Sequence, residues 1–213
     1  MRRSPPTSKA RRRNKLGAAC GHYGEEMPRD DAERVHPETV AEWREWLSSR
    51  HEDSDGVWLV FWRSGTGRPT ISYEDAVVEA VAFGWIDSQA KTIDELRSAM
   101  WFSPRRPGSP WSGSNKLRVA RLETEGRMTD AGRRQVETAK ANGMWAVLDG
   151  PEALVVPDDL ESALQAAGVR AAWDAWSPSV RRAALTKLAL VKRMETRARY
   201  VQQIVDELDG GGR

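Results

Sequence analysis

Residues 83–115 hold the side chains with the most chemistry per unit length. They read FGWIDS, a connector, and then WFSPRRPGSPWSGSN. Asp87 offers a carboxylate two residues after Trp85, so both share one face if the segment is a strand. Arg105 and Arg106 offer planar forks that suit carboxylate or phosphate. Trp111 offers a flat face for a ligand or for an arginine. Asn115 and Lys116 fall where a helix begins, and free N–H groups there favour anions. Trp85, Asp87, Arg105, Arg106, Trp111, Asn115 and Lys116 are therefore the ligand-binding candidates, lining a Trp-rich cleft for a small anionic or nucleotide-like molecule. The competing reading is structural: Asp87 caps a turn and bridges an arginine, with Trp111 packed over the Pro-rich turn.

Other chemistries find little support. No G-x-S-x-G is present, and the single cysteine, Cys20, lies in the N-terminal region. Gly65-Thr66-Gly67 lacks the Gly-Lys-Ser/Thr of a phosphate loop. His22, His36 and His51 have no ligand spacing, so no metal and no cofactor is expected. Glu74 and Glu79 read as ordinary exposed acids of one helix. A binding protein is expected over an enzyme; the alternative is an enzyme in which Asp87 acts as acid or base.

The elements that must position these residues form an α+β pattern. A helix runs from His36 to about Arg50, with Val40, Trp43, Trp46 and Leu47 on one face. VWLVFWR, residues 57–63, is a buried strand. Ser72 caps a helix with Asp75 at the capping-box position, and Gly84 ends it. Trp85-Ile86 and Met100-Trp101-Phe102 begin two further strands, while residues 89–98 are open between a helical turn and a connector. Ser112 or Ser114 caps a helix with Leu117, Val119, Ala120 and Leu122 inward. Thr129 caps the next helix, and residues 145–157 are an irregular link. Helices follow over 158–167, 169–176, 178–192 and 195–208. The expected fold is a small β-sheet packed with helices over residues 35–150, then an all-helical domain over 151–213.

The chain has 10 Trp but only 3 Tyr and 3 Phe, so indoles are the main bulky core filler. Its net charge of +2 does not suit a polyelectrolyte binder. Basic bands run through Arg105, Arg106, Lys116, Arg118, Arg121, Arg127, Arg133 and Arg134, and again through Arg181, Arg182, Lys187, Lys192, Arg193, Arg197 and Arg199. Without an RRM, KH or zinc-finger signature they read as solvated faces rather than a nucleic-acid surface; a nucleic-acid-binding regulator remains a further alternative. No apolar run matches a membrane span, and a cytoplasmic protein is expected. Residues 1–34 are basic and lack periodicity, so a disordered tail is expected, with Met27 as the true start.

The segments GVWLVFWR, SYEDAVVEAVAFGWIDS, FSPRRPGSPWSGSN, EGRMTDAG and SPSVRRAALTKLALVKRMETRARYV occur in one order. In this the chain resembles the YdeI/OmpD-associated family, also called bacteriocin-protection proteins, over roughly residues 36–208. One departure is Met194, which stands where the family commonly has proline before ETR. That bears on the sharpness of the last interhelical turn. The resemblance implies a small cytoplasmic bacterial protein linked to protection from bacteriocins or cationic antimicrobial peptides. It implies no established catalytic mechanism. The expected mode of action is binding of a small anionic ligand or a protein partner.

Overall fold

The computed structural model describes residues 32–210. The expectations for residues 1–31, including the start at Met27, lie outside these. Chain contacts divide the described residues at Ala153/Leu154 into two compact units.

The first unit is built on a four-stranded sheet in the order β1-β2-β4-β3. Strand β1 (Arg34–Val35) pairs parallel with β2 (Val57–Trp62), and β2 pairs antiparallel with β4 (Arg97–Pro104). Ordered strand thus begins at Arg34, inside the segment expected as a disordered tail, because Val35 finds a partner in Leu59. Strand β3 (Trp85–Thr92) returns on β4 as a hairpin with a bulge between Asp87 and Ala90. The open stretch 89–98 is therefore strand, tight turn and strand. Its turn is held by Asp94, whose carboxylate accepts from Leu96 N, Arg97 N and the Arg97 guanidinium.

Helix α1 (Val40–Arg50) starts later than its proline suggests. Thr39 is the N-cap, accepting from Glu42 N, while the Glu42 carboxylate reaches back to Glu38 N. Trp43 and Leu47, one turn apart, are fully buried, each worth about 2 kcal/mol on burial. Trp43 Nε1 donates to Ala76 O at 3.1 Å, which satisfies the buried indole and ties α1 to helix α2 (Tyr73–Ala82). Every residue from Ala76 to Ala82 is buried. Small Ala and Val side chains let neighbours approach α2 from several sides.

Two of those neighbours are α3 (Gly113–Thr124) and α4 (Asp130–Ala141), capped by Ser112 and Thr129. In α3 only Val119 and Leu122 carry the apolar face inward. Leu117 is 74% exposed and Ala120 is also exposed, because two residues turn the helix by about 200°. A short helix, α5 (Asp149–Glu152), interrupts the expected link. The opposite side of the sheet carries Trp58 and Trp101, edge to face at 5.3 Å, with Val60 and Ala99.

The second unit is helical: α6 (Asp158–Ala166), α7 (Arg170–Ala175), α8 (Pro178–Leu190) and α9 (Met194–Gly210). Leu160, Leu164, Trp173, Leu185, Leu188 and Ile204 form its core. The turn from α8 to α9 takes three residues despite Met194, which sits 79% exposed at the first position of α9. No helix among the described residues is long and apolar enough to cross a membrane.

Candidate functional site

Antiparallel pairing sets Trp85 opposite Pro104 and Asp87 opposite Phe102. Just beyond the strand end, Arg105 N donates to Gly84 O at 3.0 Å, which draws its side chain to the start of β3. The Pro-rich turn then folds Trp111 beneath it. The Arg105 Cζ lies 3.8 Å from the Trp111 ring centroid, and Nη1 donates to Pro110 O at 3.2 Å. The residue is only 4% exposed, and its Nε and Nη2 have no hydrogen-bond partner. Burial pushes its pKa down to about 10, against the opposing pull of nearby Asp87, so it stays charged at neutral pH.

Asp87 does not bridge Arg105 directly. Its Oδ2 accepts the Tyr73 hydroxyl hydrogen at 2.5 Å. Burial first, and then this bond and the Asp87 charge, push the Tyr73 hydroxyl up to about 12. Beside them Arg118 holds Glu74 with two bonds, Nε to Oε1 at 2.9 Å and Nη2 to Oε2 at 2.5 Å. Its Nη1 donates to the side-chain oxygen of Asn115, a buried polar residue. The bonded pair holds the Glu74 carboxyl below its usual range and raises Arg118.

Asp87, Arg105, Trp111 and Asn115 therefore fall in one polar region: Tyr73 bonds Asp87, Arg118 bonds Glu74 and Asn115, and the Asp87 charge acts on both Arg105 and Arg118. Three candidates fall outside it. Trp85 is not a cleft wall: it is 1% exposed, donates from Nε1 to His51 O, and packs edge-on to Trp46. Trp85 faces the core instead of Ile86, so the alternation runs opposite to the one that would expose it. Arg106 is exposed in the turn. Lys116 points elsewhere, to Asp149 and to the Trp145 ring. Tyr73 was legible only as the residue after a helix cap, and nothing in its spacing linked it to Asp87, 14 positions on.

The start of α3, expected to hold a ligand anion, is held by the protein's own. Both Glu152 carboxylate oxygens lie 3.0 Å from Gly113 N, and Ser112 Oγ accepts from Asn115 N. A Cβ at position 113 would meet Glu152 Oε2 at 2.6 Å, so glycine leaves the room for this cap. Glu79 is also not the exposed acid expected. It is fully buried, and its two oxygens accept from Arg44 at 2.5 Å and from Arg127. Glu79 and Glu74 thus serve separate arginines and are no acid pair.

The first basic band is largely paired with carboxylates, the second only at Arg181 and Arg197. Arg121 pairs with Glu125, Arg133 with Glu123 and Asp130, and Arg134 with Glu52. In the second unit Arg197 pairs with Asp159, Arg181 with Asp174, and Lys187 stacks on Tyr200. No group of three His, Cys, Asp or Glu suited to a metal occurs among the described residues.

The family model described as Bacteriocin-protection, YdeI or OmpD-Associated matches residues 153–211. That segment is similar to the YdeI/OmpD-associated family. Residues 35–135 match a different model, described as Domain of unknown function (DUF8412). The YdeI/OmpD-associated similarity therefore rests on the helical unit, while the Arg105 cluster lies in the region matched by the second model. No curated protein and no solved structure matches the chain. The description of the model matched by the helical unit names bacteriocin protection as the association of the family it represents.

Proposed function

We propose that the protein contributes, in the cytoplasm, to resistance against bacteriocins or cationic antimicrobial peptides by binding a small anionic ligand at Arg105. One observation carries the reading: a charged guanidinium, 4% exposed, is stacked on Trp111 with two N–H donors unmatched. Leaving buried donors unmatched costs about 1–3 kcal/mol. A site that retains such a group gains when an acceptor arrives. The pairing of the first basic band with carboxylates weighs against a nucleic-acid surface there. The engagement of Asp87 by Tyr73 weighs against its service as a free acid or base.

Calorimetric titration with a panel of small anions tests the proposal. Saturable binding is expected in the native protein and its loss in Arg105→Met. In cells lacking the native gene, the wild-type chain should restore survival under a cationic peptide, and Arg105→Met should not. Equal rescue by both would sink the reading.

A further inference from the structure

We infer that the Arg105 site takes a small monocarboxylic acid in preference to a phosphate or nucleotide. The inference rests on the proposed anion site and names its ligand class.

Donor geometry is the first reason. Nη1 is committed to Pro110 O, and Trp111 covers one guanidinium face. The two unmatched nitrogens, Nε and Nη2, share one edge of the plane. Two parallel N–H bonds from that edge match the two oxygens of a planar carboxylate. Both nitrogens are shielded from solvent, so a bulky ligand such as a nucleotide would have to displace more of their cover than a small acid.

Charge is the second. Arg118 is not a spare cation, because Glu74 takes its Nε and Nη2. Asp87 stands close enough to act on the Arg105 charge. Asp87 already balances the Arg105 charge, so every negative charge a ligand brings is a net cost, and a monocarboxylate brings only one. A phosphate, with about −1.5 to −2 charges, would leave more charge uncompensated in a buried place.

The third reason is what else could hold a phosphate. A helix N-terminus is the usual backbone cradle, and at α3 the Glu152 carboxylate already occupies it. The protein's own choice of anion there is a carboxylate.

The test is a calorimetric titration of the full chain with acetate, benzoate, inorganic phosphate and adenosine monophosphate. Arg105→Met, Arg105→Lys and Asp87→Asn are titrated alongside, each checked for a native circular dichroism spectrum. The expected result is saturable carboxylate binding, at least about tenfold tighter than phosphate. Arg105→Met should abolish it, and Arg105→Lys should weaken it, because lysine has no fork. Asp87→Asn should narrow the preference by admitting phosphate. Arg105-dependent binding that favours phosphate would overturn the ligand class and leave the anion site standing. Absence of any Arg105-dependent binding would overturn both.

Discussion

Tyr73 donates its hydroxyl hydrogen to Asp87 across 2.5 Å, tying the first turn of α2 to the start of β3. The phenol is held neutral by burial and by this bond, up to about 12 against an ordinary 10.0. Above pH 10 the unfolded chain would lose this proton first. The contribution to stability is therefore complete below pH 10 and disappears as pH rises through about 12. A pH titration of the Tyr73 ring resonance by NMR should show the late transition. In Asp87→Asn the midpoint should move down toward 10.0; an unchanged midpoint would mean that the bond does not set it.

Glu79 makes a different kind of contact, with no exposure and an arginine on each oxygen. Arg44 and Arg127 come from α1 and from the turn after α3, so the carboxylate joins three segments. Arg44 also donates to Arg127 O at 3.0 Å. Removing the charge leaves two guanidinium groups facing a neutral buried partner. Glu79→Gln should lower stability by about 3 kcal/mol, as for breaking a buried ion pair. Urea unfolding measures this. A loss under about 0.5 kcal/mol would mean that water screens the pair.

What the residues revealed in advance follows a physical line. Caps and turns were legible because they are local: Ser72 and Thr129 each accept from a backbone N–H three residues on. The burial of Val57–Val60 was legible from its apolar density. Partner choice was not, because it depends on residues distant in sequence. Nothing near Glu79 announces Arg127, and nothing near Gly113 announces Glu152, 39 positions away. The same limit applied to the site. Arg105 and Trp111 lie six apart and their stacking was foreseeable, whereas the inward turn of Trp85 depends on which side of β3 the helices cover.

Arg105 should be dispensable for folding. Its charge is buried at a cost, and Nε and Nη2 earn no hydrogen bond in return. Methionine keeps an unbranched apolar stem over Trp111 and removes the charge. Replacing buried ions by hydrophobic groups of similar volume is often neutral or stabilising. Arg105→Met should leave the unfolding free energy unchanged or raise it by about 1 kcal/mol. A loss of more than about 2 kcal/mol would identify the guanidinium as a structural strut.

Gly132 lies in α4 where that helix meets the end of α2. A Cβ there would stand 2.3 Å from Ala82 O and 2.7 Å from the Met128 methyl group. The methionine could swing aside, but the carbonyl is backbone and also accepts from Thr129 N and Thr129 Oγ1. Alanine would gain about 1 kcal/mol in helix propensity. The clash should win, because overpacking against fixed backbone costs about 1–3 kcal/mol and would strain both Thr129 bonds. Gly132→Ala should thus lower the melting temperature by several degrees, and a rise would show that α4 shifts freely.

In the helical unit Arg197 has two duties. It holds Asp159 through Nε at 2.6 Å and Nη2 at 2.9 Å, and Nη1 donates to Leu188 O near the end of α8. The bond to Arg197 lowers the Asp159 carboxyl below its ordinary 3.8. Its contribution is present above pH 3.8 and disappears as pH falls through the folded value. The pair is partly exposed, so Asp159→Asn should cost less than about 1 kcal/mol at neutral pH. Arg197→Ala removes the same pair and also the donor to Leu188 O, so it should cost more. Parallel urea titrations of the two variants at pH 7 decide this. Equal losses would mean that water replaces the guanidinium at the end of α8.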